Sequence, residues 1–310
     1  MLSDTQFGLL LALGTTLLWS VSSVVFDMAS RRVGSVPVNV IRLAMAVVCL
    51  ASYVWIASKV TGVAIGWPSG RQTIMVAASG LVGFFICDLF LFRAFVLIGA
   101  RTAQLLLCVS PIFAAIAGYF IAGEHLAASK LVGVAVTLAG VAWVITQRAP
   151  SEEHKHNRRA LWTGVGFALI GAMTQGMGLP MAKLGVLAIR PGEHPLDPAL
   201  ATLIRASTGL LCFLFFASVT GRMPRTVRAL RNGKGMLLTS IGAVAGPFLG
   251  VTLAVASTRY VETSLAITVT SLVPITIIPL AIIVQKEHIT WRAIAGSAVA
   301  VVGVILLAWW

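Results

Sequence analysis

The sequence predicts an all-α membrane protein of ten transmembrane helices, arranged as two inverted five-helix repeats. Composition is the first ground: of 310 residues, 58% are hydrophobic and only 11% charged, and the mean hydropathy is +0.95, values outside the range of ordinary soluble domains. The second is segment length. Apolar runs of about 20 residues, the length an α-helix needs to cross a hydrocarbon core of about 30 Å, recur near 6–28, 36–57, 73–97, 99–121, 128–147, 160–183, 199–219, 235–257, 263–284 and 291–309. The third is an internal repeat at a constant offset of 163: Arg42 with Arg205, Gly83 with Gly246, Phe85 with Phe248, Pro111 with Pro274, Glu124-His125 with Glu287-His288, Gly133 with Gly296, Gly140 with Gly303. The expected division is 1–148 for the first repeat, 149–159 for a charged linker and 160–310 for the second repeat. Five helices is an odd number, so the second copy is expected to cross the membrane upside down relative to the first.

Other classes are excluded on the same residues. No ten-residue stretches alternate apolar and polar as a membrane β-barrel would require. The first apolar run lacks the basic region and small-residue cleavage site of a signal peptide and reads as a retained helix. Cys49, Cys87, Cys108 and Cys212 all lie inside apolar runs, which indicates neither a disulfide framework nor a metal motif. The net charge of +13 comes mainly from connections between helices rather than a basic patch on a soluble module, so nucleic acid is not an expected partner. Membrane lipid and a small molecule are. A monomer or a homodimer is expected, and no cofactor or metal.

Taken in order, the first segment carries Trp19, serines at 20, 22 and 23, and Asp27 toward one end. The second places Arg42 about six residues inside its apolar run, about 9 Å deep at 1.5 Å per residue, where it either snorkels, pairs locally or serves a ligand. The third holds Asp88 near its middle beside Phe84 and Phe85. An ionisable group at a helix centre costs roughly 2.5 to 3.5 kcal/mol on insertion scales, so Asp88 faces either an arginine partner, Arg42 or Arg205, or a cavity. As a desolvated carboxylate it is the candidate for proton coupling. The fourth sets Gln104, Cys108 and Pro111 on one helical face, and the ninth answers with Ser264, Thr268, Thr270, Ser271 and Pro274. Proline removes a helix hydrogen bond and bends the axis, which a membrane tolerates where protein or water re-satisfies the freed carbonyl; two such bends predict the walls of a shared cavity. Glycines seven apart in the fifth and tenth segments predict close helix packing.

After the linker the sixth segment offers Gln175 and Pro180, the seventh Arg205, and the eighth Gly246 and Phe248. Val251 stands where the repeat would place an aspartate opposite Asp88, which marks that acid as something other than an architectural requirement. Glu124 and Glu287 fall in turns between spans, where a carboxylate meets the positive end of the following helix; the expectation is that they hold the hairpins of spans 4–5 and 9–10.

Trp19-Ser20, Arg42, Pro111 followed by Gly123-Glu124-His125, and the second Pro274 followed by Glu287-His288 with Gly296 and Gly303 resemble the EamA family of the drug/metabolite transporter superfamily over roughly residues 6 to 309. The second copy departs from the pattern in having Lys286 before Glu287. The resemblance implies a secondary transporter, an exporter of amino acids or other small polar metabolites in a bacterial inner membrane, with a cavity lined by spans 1, 3, 4, 6, 8 and 9. The expected substrate-facing residues are Trp19, Arg42, Phe84, Asp88, Gln104, Gln175, Arg205, Thr268, Thr270 and Ser271, with Pro111 and Pro274 as bends. A lipid-handling flippase or a drug or cation efflux protein is the alternative. A membrane-embedded enzyme is the remotest, since no nucleophile–base pair lies at membrane depth. On orientation two arguments oppose each other. Lys and Arg favour the 1–2, 3–4, 5–6, 7–8 and 9–10 connections by 15 to 6, which would leave both termini outside, whereas the resemblance implies both termini in the cytoplasm.

Overall fold

The structure, a computed structural model, describes residues 3–61, 66–124, 128–146, 158–273, 275–277 and 291–309. The expected linker at 149–159, apart from Arg158 and Arg159, lies outside them, as do Pro274 and Glu287. Among the described residues there is helix and no strand. The first repeat contributes α1 (Asp4–Val33), α2 (Ser35–Thr61), α3 (Gly70–Gly80), a π-helical segment (Leu81–Ile86), α4 (Cys87–Leu107), α5 (Ser110–Ala122) and α6 (Ala128–Thr146). The second contributes α7 (Arg158–Val186), α8 (Pro198–Val219), a short α9 (Met223–Ala229), α10 (Gly233–Ala243), a second π-helical segment (Val244–Gly250), α11 (Val251–Ser257), α12 (Thr263–Thr270) and α13 (Trp291–Trp309).

Local chemistry sets many of the ends. Ser3 and Gln6 form a capping box on α1, and Ser69 and Gln72 another on α3, each satisfying two donors that a helix start leaves free. Asn232, which is 163 residues after Ser69, caps α10 by accepting from Gly235 N at 2.8 Å. Asp197 caps α8, and Gly123, at φ +64, closes α5 in a left-handed conformation that suits glycine.

Among the described residues six helical stretches are long and apolar enough to cross a membrane: Asp4–Val33, Ser35–Val60, Gly70–Ile98, Arg159–Val186, Pro198–Val219 and Gly233–Ser257. Ser110–Ala122, Leu131–Gly140 and Thr263–Ile277 are apolar but shorter. The ten predicted segments therefore do not map one to one onto rods. In particular α4 runs through the expected boundary at 97–99, and the helix stops instead at Leu107. The reason lies in Pro111: its missing N–H would have bonded the carbonyl four residues earlier, which is that of Leu107. The expected bend inside a helix is thus a full break, with Pro111 in the first turn of α5.

The repeat is visible in the bonding. Cys108 N donates to Gln104 O at 3.2 Å, Val109 N to Leu106 O at 3.3 Å and Ile112 N to Val109 O at 3.1 Å. The same pattern recurs 163 residues on, with Ser271 N to Ile267 O at 2.9 Å, Leu272 N to Val269 O at 3.1 Å and Ile275 N to Leu272 O at 2.8 Å. Both π-helical segments begin at equivalent positions, 81 and 244.

Contacts between the repeats exchange partners as a two-fold requires. Gly140 lies against Ala300 and Gly303 against Thr137, so α6 and α13 pack tightly together along their glycines. By the same exchange α1 packs on α10 while α7 packs on α3, and α2 packs on α8. Thr15 Oγ1 donates across to Gly250 O and Thr16 Oγ1 to Val269 O, both at 3.1 Å. Each half is completed by the other, and the space they enclose lies between them.

Candidate functional site

A cavity of about 120 Å³ lies between the repeats, roughly ten times what one water needs on the same measure. Its charged groups come from three elements. Arg42 on α2 forms an ion pair with Asp88, the second residue of α4, and both side chains are nearly excluded from solvent. Asn39, one turn earlier, accepts from Arg42 Nε at 2.8 Å, and the guanidinium carbon sits 5.2 Å from the centre of the Phe26 ring and 5.1 Å from that of Phe92. Aromatic faces and an oxygen on each side offset the cost of burying this cation. Asp27, toward the same end of α1, takes no part: it pairs with Arg31 at 3.1 Å.

Arg205 enters from α8. Gly80 and Gly83 leave no side chain where α8 approaches; a Cβ on Gly83 would stand 3.1 Å from Arg205 Nη2. The guanidinium carbon lies 5.4 Å from the Phe84 ring centre. Arg205 is buried, yet among the described residues its Nε and Nη1 have no hydrogen-bond partner.

The π-helical segments explain how these groups converge. One extra residue in the turn between 81 and 86 re-aims the side chains after it, presenting Gly83 to Arg205 and to Gly178 of α7 while Phe84 and Asp88 both reach the cavity. Its counterpart carries Pro247 and delivers Gly246 and Val251. The broken helices meet here as well: Cys108 Sγ donates to Ser271 O at 3.4 Å, a contact between a residue and its own repeat-mate, which places the two-fold axis beside them.

Of the residues expected from sequence, Trp19, Arg42, Phe84, Asp88, Gln104, Gln175, Arg205, Thr270 and Ser271 all line this one cavity. Thr268 does not; it is buried and its hydroxyl donates back to Ser264 O at 2.7 Å, as Thr commonly does within a helix. Gln104 donates to Ser23 Oγ at 3.0 Å, and Cys87 Sγ donates to Gln175 Oε1 at 3.5 Å. Phe26, Asn39, Phe92 and Phe95 were not among the expected residues. For Phe92 and Phe95 the sequence signal is the recurrence of aromatics every three to four positions around Asp88; Phe26 and Asn39 carry no such signal.

Glu124 sits in its expected turn, but the helix end it meets belongs to the other repeat. Its carboxylate accepts from Thr263 N at 3.1 Å and Thr263 Oγ1 at 2.7 Å, at the start of α12, and from Lys183 of α7 at 2.8 Å. It therefore ties the repeats together, and residues 125–127, which lead from it into α6, lie outside the described residues. A second tie lies at the same end of α7. Arg71 forms a bidentate pair with Glu193 at 2.9 and 2.6 Å, and Arg71 also donates to the carbonyls of Leu184 and Leu187. Arg71, helped by Ser69 and the Arg190 and Ile189 amides, holds the Glu193 carboxyl well below the usual carboxylate range. Gln72 Nε2 donates to His194 O at 2.9 Å. All three ties join residues of the first repeat to residues of the second, at one end of the molecule.

Among the described residues, no three His, Cys, Asp or Glu side chains cluster as metal ligands. No curated protein matches the sequence. A solved protein described only as "Crystal structure of protein" matches at a TM-score of 0.68 and 15% identity, covering 96% of this chain and 94% of that one, which shows a common fold. The model of the EamA-like transporter family matches twice, over residues 6–146 and 162–309, one match for each half of the 163-residue repeat. The chain belongs to the EamA-like transporter family of the drug/metabolite transporter superfamily, and is a multi-pass membrane protein.

Proposed function

We propose that this chain is a secondary transporter that exports a small polar metabolite, such as an amino acid, across a plasma membrane. It does so by alternating access between two inverted five-span halves, residues 1–148 and 160–310, joined by the charged stretch 149–159. The observation that carries this reading is the position of the cavity: charged, polar and aromatic side chains gather where the matching helix breaks at Cys108 and Ser271 meet. A site on the pseudo-two-fold axis is the one place that both halves can expose in turn.

The ties at Glu124, Arg71 and Gln72 support a state closed at one end. Exposure to that side requires them to part, and the mirror movement closes the other side. Proton coupling is assigned to Asp88: protonation would remove its charge and release Arg42. Export of a cationic drug fits less well, because the cavity's one carboxylate among the described residues is already bound to Arg42.

The test is excretion. Cells expressing the chain are fed leucyl dipeptides, which load the cytoplasm with leucine, and leucine is measured in the medium. Faster excretion than in cells carrying an empty vector is expected. Equal rates across a panel of dipeptides, with the protein present in the membrane, would overturn the reading.

A further inference from the structure

The charges in the cavity do not balance. Asp88 lies against Arg42, and Arg42 is further satisfied by Asn39 and the faces of Phe26 and Phe92. What remains is Arg205: 6% exposed, cavity-lining, with Nε and Nη1 unpartnered among the described residues and the Phe84 ring 5.4 Å from its guanidinium carbon. A buried guanidinium with free donors is costly inside a membrane protein unless something supplies the missing acceptors. Gly80 and Gly83 matter here, since any larger residue would fill the approach of α8 and its arginine.

We propose that Arg205 is the substrate-anchoring residue and that the group it takes is a carboxylate, received by its planar fork of donors. The inference rests on the transport reading and narrows it: the anionic end of the solute is what the site recognises, and an α-amine is dispensable. Two features select this chemistry. A guanidinium offers a carboxylate two parallel hydrogen bonds, from Nη2 together with Nε on one edge or with Nη1 on the other, and each of these edges of Arg205 carries a nitrogen without a partner among the described residues. The surrounding wall, with Trp19, Phe84, Leu91 and Leu179, suits a solute whose other end is apolar. With Asp88 engaged by Arg42, no second anion waits for an ammonium group among the described lining residues.

Three probes of one carbon skeleton separate the alternatives: leucine, 4-methylpentanoate, which lacks the amine, and 3-methylbutylamine, which lacks the carboxylate. Thermal stabilisation of the protein in lipid nanodiscs is measured against each at equal ionic strength. For the unsubstituted protein, leucine and 4-methylpentanoate are expected to stabilise to a similar degree and 3-methylbutylamine not at all. Arg205→Gln should weaken the response to both carboxylates roughly 10- to 100-fold, the scale of losing charged hydrogen bonds. Arg205→Lys, which keeps the charge but not the fork, should lose less. Because Arg205→Gln removes a buried unpaired charge, the variant is expected to fold, and its own melting transition verifies that.

Stabilisation by 3-methylbutylamine, or carboxylate responses unchanged in Arg205→Gln, would overturn the proposal while leaving transport intact. The opposite pattern separates the two readings: if the carboxylates stabilise through Arg205 but no solute moves in proteoliposomes, the anion site stands and the transporter reading falls.

Discussion

Lys183→Met is the perturbation that most directly probes the state the structure describes. Lys183 Nζ donates to Glu124 at 2.8 Å and to Val261 O at 3.2 Å, and the two paired side chains are only 15% and 7% exposed. Methionine keeps most of the volume and removes the charge. Among the described residues Glu124 then keeps Thr263 as its hydrogen-bond partner. Loss of a hydrogen bond to a charged group costs about 1.5 to 3 kcal/mol; the upper bound for an uncompensated buried charge, about 3 to 5 kcal/mol, does not apply while Thr263 still donates twice. The tie exists only while this end is closed, so the full loss falls on the closed state. The closed-to-open ratio should shift by about 10- to 150-fold. Ala266 on α12 lines the cavity and is 1% exposed. As a single cysteine, with the four native cysteines replaced, it reports opening through its rate of reaction with a membrane-impermeant maleimide applied from the tied end. Lys183→Met should accelerate that reaction at least tenfold, and the double variant with Glu124→Gln should accelerate it by less than the product of the two single effects, since both singles remove the Lys183–Glu124 pair. A rate within twofold of the parent, in folded protein, would refute the idea that this ion pair holds the end closed.

Gly303→Leu should destabilise the protein by about 1 to 3 kcal/mol or more in a detergent melting assay, because a Cβ there would stand 2.8 Å from Thr137 Cα and closer still to its amide; Gly166→Ala, whose Cβ meets nothing within 4 Å, should be neutral or mildly stabilising. Asp88→Asn leaves Arg42 without its counter-charge and should cost about 3 to 5 kcal/mol, with the double variant Asp88→Asn/Arg42→Gln losing less than the two singles combined; in transport assays across pH, the Asp88→Asn profile should flatten, and an unaltered profile would remove the proton role. Glu193 is depressed below its ordinary 4.5, so its contribution is fully present above about pH 4.5 and lost as pH falls further. The melting-temperature gap between Glu193→Gln and the parent should therefore stay constant from pH 8 to about 5.5 and shrink only in stronger acid.

The depth of Arg42, Asp88 and Arg205 within apolar runs was legible in the sequence, because insertion energetics make any buried charge conspicuous. So was the two-fold, because the repeat preserves helix breakers as well as apolar positions. Four things were not. The partner of Asp88 was one of two arginines, since periodicity assigns a residue to a face but does not rank contacts between faces. The break at Leu107 was missed because nothing at Gly99 or Ala100 contradicts or demands helix, whereas the consequence of Pro111 falls four residues upstream. The π-helical turns arise from backbone register, which side-chain pattern barely records; Gly83-Phe84-Phe85 and Gly246-Pro247-Phe248 at equivalent positions were the only trace. Finally, Glu124 with Thr263 and Arg71 with Glu193 are separated by 139 and 122 residues, so a local argument from the following helix reached the turn but not these partners in the other repeat.

The central claim is that solute passes through the cavity between the two repeats. Counterflow measures it most directly: purified protein in liposomes preloaded with unlabelled leucine, diluted into trace radiolabelled leucine, with and without Leu179→Trp, which drives an indole into the cavity wall. Saturable accumulation of label by the unsubstituted protein, reduced at least tenfold by the substitution, is the predicted result. Accumulation that persists undiminished in correctly folded Leu179→Trp protein would contradict it.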